Sequence, residues 1–171
     1  METKNGSQWS PEDMTFDIDE MAWALSLQCR YNGHVKEFYS VAEHCLLMTE
    51  YAHEELNILD TRILRTILLH DSPEAYIGDM VSPIKCRFPG FAMLEDIIMG
   101  EIAHKYQCEF PFPPVVKHLD SCILLDERGA LFDSVLDWGL GDLEPLGVDI
   151  AGMEPRRAYN HFMNIWERIK P

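Results

Sequence analysis

No stretch of this chain alternates apolar and polar residues with the two-residue period of a half-buried strand, whereas apolar residues recur three and four positions apart in several segments. That periodicity predicts an all-α fold. Ile63, Leu64, Ile67 and Leu68 form one such face behind Asp60 or Thr61, either of which can cap a helix. Ser40-Val41-Ala42-Glu43 has the form of a capping box, and Val41, Cys45, Leu46 and Met48 occupy apolar positions in the helix it opens. A helix is expected from about Asp19 to Cys29, interrupted by the turn chemistry of Tyr31-Asn32-Gly33. Ser72-Pro73-Glu74 predicts a fresh short helix through Ile77, with Ser72 as its N-cap. The segment Gly78 to Gly90, with Pro83 and Pro89, reads as loop. Further helices are expected over about Ala92–Tyr106, Pro114–Leu136 and Pro155–Ile169, with an irregular excursion between Asp137 and Gly152.

The chain has 171 residues and no repeat or Gly/Ser-rich linker, so it reads as a flexible lead-in, residues 1–14, and one domain, residues 15–171. It carries 29 acidic and 14 basic side chains, a formal net charge of −15. Such a field repels polyanions, which argues against a nucleic-acid backbone or an anionic membrane as partner. A small nucleotide remains admissible, because a bound divalent metal and a few local cations reverse the sign inside one pocket. The five cysteines (Cys29, Cys45, Cys86, Cys108 and Cys122) form no Cys-x-x-Cys pair and suit free thiols in a reducing compartment. The first residues contain no apolar leader-type run, and no apolar run reaches membrane-spanning length. A cytoplasmic location is expected, the host cytoplasm if the chain is phage-encoded.

His70-Asp71 ends one apolar helix, and alone it says little. Glu74 and Asp79 follow it closely, Glu43-His44 lies near the start of another apolar helix, and Asp120 sits among apolar residues downstream. Two imidazoles and two carboxylates from separate helices make a hard-to-borderline ligand set, suited to Mn, Fe, Co, Ni or Zn rather than to a structural thiolate site. Four protein ligands on an octahedral ion leave positions for water and a phosphate oxygen. Glu74 is placed to position that water or take its proton, and Asp79 to orient the nucleophile or a neighbouring group. The bland alternative is a set of unrelated capping and buried polar residues, with Glu74 an ordinary first-turn acid and Asp79 a turn residue.

In order, His44, His70-Asp71 and Asp120 match the H…HD…D signature of the HD superfamily. The segments Cys29-Arg30-Tyr31-Asn32-Gly33-His34, Phe38-Tyr39-Ser40-Val41-Ala42-Glu43-His44 and Leu68 through Asp79 narrow the likeness. The chain resembles the small HD phosphohydrolases related to bacterial 5′-deoxynucleotidases. It looks closer still to the phage dATP triphosphohydrolases of the 2-aminoadenine genome pathway. The resemblance covers about Asp17 to Arg128. It implies a helical HD-domain bundle in which His44, His70, Asp71 and Asp120 hold one divalent transition metal, with Co, Zn and Mn foremost. It further implies that Glu74 and Asp79 are catalytic, that Arg30 lies close to the substrate phosphate, and that the protein forms a homo-oligomer, a dimer or hexamer.

One departure is visible: many relatives have His-Ala-Leu where this chain has Trp23-Ala24-Leu25. An indole there can stack on a base or fill the core. Lys85, with Arg30, is a further candidate for offsetting phosphate charge, the bland alternative being a solvated lysine or a surface ion pair. The expected function is that of a deoxynucleotide phosphohydrolase, most specifically one hydrolysing dATP to deoxyadenosine and triphosphate. The rivals are a 5′-deoxynucleotidase restricted to monophosphates, and a non-catalytic HD module that binds a nucleotide for regulation.

Overall fold

The computed structural model describes residues 1–133 and 136–171, and the apolar faces read from the sequence form helices. The order is α1 (Ile18–Leu27), a 3-10 turn (Arg30–Gly33), α2 (Val41–Glu54), α3 (Thr61–Leu69), α4 (Glu74–Ile77), α5 (Ser82–Lys85), α6 (Pro89–Tyr106), α7 (Pro114–Leu131) and α8 (Pro155–Ile169). Among the described residues no strand forms beyond three isolated bridges, and the fold is all-α.

Helix α2 is central. It packs on α1, α3, α7 and α8, and nine of its fourteen residues are buried, so it must be apolar around most of its circumference. Leu46 and Met48 of α2, Ile67 and Leu68 of α3, and Met21 and Leu25 of α1 are fully buried and anchor the core. Each such side chain contributes about 1.5–3 kcal/mol relative to exposure.

The caps show where sequence and structure part. Ser40 accepts from the Glu43 amide at 3.0 Å, but Glu43 does not return the favour as a capping box requires. Its carboxylate instead accepts from the Met153 amide at 2.6 Å, across 110 residues of chain. Gly152 permits that contact: its φ is +67°, and a Cβ would stand 3.1 Å from the Phe38 carbonyl oxygen. The segment before α8 is thus tied down without helix or strand. Asp126 accepts from the Leu146 and Gly147 amides at 2.8 and 2.9 Å.

Ser72 is not the N-cap of α4. The chain stays in helical geometry through Pro73, whose φ is −53° and ψ −31°, so the serine hydroxyl is buried without a hydrogen-bond partner. Pro83 and Pro89 do not mark a continuous loop: each stands in the first turn of a helix, where its missing N–H costs nothing. Helix α7 stops at Leu131, with Phe132 extended, short of the expected Leu136; positions 134 and 135 of that expectation lie outside the described residues.

Residues 1–14, expected as a flexible lead-in, carry a buried tryptophan. Trp9 is 5% exposed and stacks on Tyr76 of α4, with ring centroids 4.8 Å apart. Thr3 and the Asn5 amide both bond to Glu20 of α1. Arg65 of α3 donates to the carbonyls of Tyr106, Gln107 and Ile169, at 3.1, 3.1 and 2.6 Å. One guanidinium thereby closes the C-termini of both α6 and α8.

Candidate metal centre

Three segments converge on the buried mid-face of α2. The central helix presents His44, the turn joining α3 to α4 presents His70 and Asp71, and α7 presents Asp120. His44 Nε2 stands 3.4 Å from His70 Nε2, 3.7 Å from Asp71 Oδ2 and 3.3 Å from Asp120 Oδ1; His70 Nε2 stands 3.3 Å from Asp71 Oδ1. The four residues that the resemblance implies as ligands are therefore brought together.

Nitrogen and oxygen donors about 2.0–2.2 Å from one ion stand about 3.0 Å apart at right angles and about 3.4 Å apart at tetrahedral angles. The observed separations fall at or slightly above that range. The donor chemistry agrees. His70 Nδ1 lies 2.8 Å from the Ile67 carbonyl oxygen, which can only accept, so that nitrogen carries the proton and Nε2 presents a lone pair. His44 Nδ1 lies 2.6 Å from Glu127 Oε1, so its Nε2 faces the cluster in the same way. Two overlapping donor groups result, His44, His70 and Asp120, and Cys45, His70 and Asp71, each with its donor atoms within 4.8 Å of one another. Imidazole and carboxylate donors suit a divalent cation. Cys45 also approaches, its Sγ 3.8 Å from His70 Nδ1. Burial pushes its thiol well above the ordinary range in the metal-free chain, and a bound cation would act against that shift.

The electrostatics record how much negative charge is gathered there. Burial and Arg30 act to lower the His44 pKa, yet Glu127 and Asp120 outweigh them and raise it to about 9, so Nε2 holds a proton in the metal-free chain and a bound cation would take that proton's place. Burial acts to raise Asp120, but its hydrogen bond with His44 and the charges of His44, His70 and Arg30 hold it well below the usual carboxylate range.

Glu74, the first residue of α4, is buried, and its Oε2 has no hydrogen-bond partner. Burial, then Asp71 and Asp79, hold its pKa well above that of an ordinary glutamate. Asp79 is raised by burial and by Asp71, with Arg30 opposing. The three carboxylates share one neighbourhood, as the sequence predicts. Gln28 anchors this corner by donating to the Glu74 carbonyl at 2.8 Å.

Arg30 enters from the 3-10 turn. A bridge between Cys29 and Ser40 sets its backbone, with the Arg30 amide on the Tyr39 carbonyl at 2.9 Å. It is 8% exposed, with Nη1 3.4 Å from Asp71 Oδ2 and Nη2 3.4 Å from Glu127 Oε2, while Nε has no partner. Lys85 of α5 is half-buried and ion-paired with Glu95 of α6; Glu95 and the nearby Glu74 and Asp71 raise its pKa against the effect of burial. Trp23 is not brought to the cluster. Its ring packs edge-on against Tyr159 of α8, with Lys4 and Arg156 over its face at 4.9 and 5.2 Å.

Sequence reading missed Glu127 and Glu95. The signal for Glu127 was a carboxylate seven residues beyond Asp120 in the apolar run Ile123-Leu124-Leu125, two helical turns along one face. Glu95 carries no comparable signal, because its role depends on how α5 folds back on α6. Two surface depressions, one along α8 and one beside Trp9, contain none of these residues.

Among the described residues no helix is long and apolar enough to cross a membrane. No protein-family model matches the chain. It is 32% identical over 153 residues to the uncharacterized protein YfdR of Escherichia coli (strain K12), a match covering 85% of this chain and 80% of YfdR. It is 31% identical over 110 residues to an uncharacterized protein of Rhodobacter capsulatus, covering 63% of this chain and 56% of that one. The identity and extent of the match with YfdR place this chain in the YfdR family.

Proposed function

We propose that this chain is a metal-dependent phosphohydrolase of the HD-domain type that acts on deoxynucleotides, and that it converts dATP to deoxyadenosine and triphosphate. The observation that carries the reading is that His70, Asp71 and Asp120, from the α3–α4 turn and α7, all stand within 3.7 Å of His44 Nε2 of α2, with the partnerless Oε2 of the buried Glu74 near Asp71. His44, His70, Asp71 and Asp120 would hold a divalent ion, which would supply Lewis acidity and positive charge for the phosphate.

The chain's own residues do the rest. Glu74 takes a proton from the attacking water as the oxygen joins the α-phosphorus and the bond from phosphorus to O5′ breaks. That proton passes to the departing 5′ oxygen, so that deoxyadenosine leaves with its hydroxyl and Glu74 returns to its starting state. Burial and the neighbouring Asp71 and Asp79 carboxylates favour the protonated form of Glu74, and so favour its taking up that proton. Asp79 orients the water or the Glu74 carboxylate. Arg30 and Lys85 face the phosphate side with positive charge.

One observation favours a second reading, a 5′-deoxynucleotidase. Arg30 is paired with Asp71 and Glu127, and Lys85 with Glu95, so the phosphate charge these cations can offset is limited. A single phosphate makes the smaller demand. Product analysis separates the readings: the protein is loaded with Co, Mn or Zn and offered dATP, dAMP, dGTP and ATP separately. Deoxyadenosine with intact triphosphate is expected from dATP. Turnover of dAMP alone would establish the nucleotidase, and inactivity on all four with metal bound would leave a nucleotide-binding module.

A further inference from the structure

Glu127 is fully buried, lies outside the four converging donors, and takes no part in the proposed hydrolysis. A buried carboxylate costs several kcal/mol unless its oxygens are paired. Here both are filled. Oε1 accepts from His44 Nδ1 at 2.6 Å and from the Tyr39 hydroxyl at 2.9 Å. Oε2 accepts from the Tyr31 hydroxyl and lies 3.4 Å from Arg30 Nη2.

We infer that Glu127 is a positioning residue for the metal centre, fixing the tautomer, orientation and donor strength of His44; the inference rests on the metal-centre reading above. A carboxylate that accepts the Nδ1 proton commits Nε2 to the lone pair and strengthens it as a donor. His70 meets the same need with the neutral carbonyl of Ile67, so the two imidazoles are not equivalent. His44 has the charged partner and is the stronger donor.

Three residues in turn keep Glu127 from swinging toward the ion. Tyr39 and Arg30 are buried, and Tyr31 sits in the left-handed region, at φ 57° and ψ 29°, a costly conformation for a tyrosine. Its ring packs edge-on against Phe132, and its hydroxyl reaches Glu127. The turn Tyr31-Asn32-Gly33 thus delivers a hydroxyl to the carboxylate that holds a ligand.

The test is a Co titration of the full chain without substrate, reading affinity by competition with a chromophoric chelator and geometry from the visible absorption bands. The wild type is expected to bind one ion, and Glu127→Gln to bind it roughly 10- to 100-fold more weakly with shifted bands. Failure of the wild type to bind would overturn the metal centre itself. Tight wild-type binding with unchanged affinity and bands in Glu127→Gln would overturn the role of Glu127 alone. If Glu127→Gln does not fold, Tyr39→Phe decides, since it keeps the carboxylate and removes one donor. A loss of about threefold to tenfold is expected, on the scale of one hydrogen bond, and no change would overturn the inference.

Discussion

Asp120 and Glu127 stand two turns apart on α7 and address opposite nitrogens of one imidazole. Asp120 Oδ1 is 3.3 Å from His44 Nε2, and Glu127 Oε1 is 2.6 Å from His44 Nδ1. A single helix therefore supplies a proposed ligand and braces another ligand that belongs to α2. Seven residues are nearly two turns, a rise of about 10.5 Å, so both carboxylates lie on the face of α7 turned to α2. Register between α2 and α7 consequently controls the centre more tightly than either helix alone.

Glu74→Gln separates proton handling from binding. The amide keeps the size of the side chain and cannot take a proton. Turnover is expected to fall by about 10²- to 10⁴-fold, while metal affinity and nucleotide binding stay within a few-fold of the wild type. Steady-state kinetics beside a calorimetric titration check this; unchanged turnover would remove Glu74 from the mechanism.

Arg65→Ala is expected to cost about 3 kcal/mol or more, since it strands three carbonyls that close two helices in the interior. For a chain of this size that lowers Tm on the order of 10 °C. Arg65→Lys should recover only part of the loss, because an ammonium cannot fork to three carbonyls as a guanidinium does. Equal stability of the alanine variant and the wild type would show that α6 and α8 close by other means.

Trp9→Ala tests whether the first residues belong to the folded unit. Removing a buried indole that stacks on Tyr76 is expected to cost about 3 kcal/mol. Thermal unfolding reads the effect, and a truly loose lead-in would leave Tm unmoved. Because Tyr76 follows Glu74 by two residues on α4, the variant should also reduce turnover by several-fold.

Much of this was legible in the sequence. The helical spacing of Ile63, Leu64, Ile67 and Leu68 gives α3 and leads directly into His70-Asp71. The ordered histidines and aspartates give the cluster, because the spacing of polar residues on apolar helices determines which face they share. What stayed hidden depends on long-range contacts. Glu43 satisfies the local pattern of a capping box, yet its carboxylate goes to Met153, a partner no local pattern specifies. Ser72 has the form of an N-cap, yet the helical path through Pro73 leaves it no amide to accept from. Arg30 is expected as a phosphate contact, and its burial between Asp71 and Glu127 is what no local pattern specifies. Trp23 sits near the matched motifs in sequence and packs toward α8 in space.

The most direct test of the metal centre is anomalous diffraction from crystals of the protein grown with Co or Mn. One strong peak is expected within about 2.0–2.2 Å of His44 Nε2, His70 Nε2 and oxygens of Asp71 and Asp120, and it should vanish in Asp120→Asn crystals grown the same way. A cluster that shows no peak at saturating metal, or a peak ligated by other residues, would contradict the account.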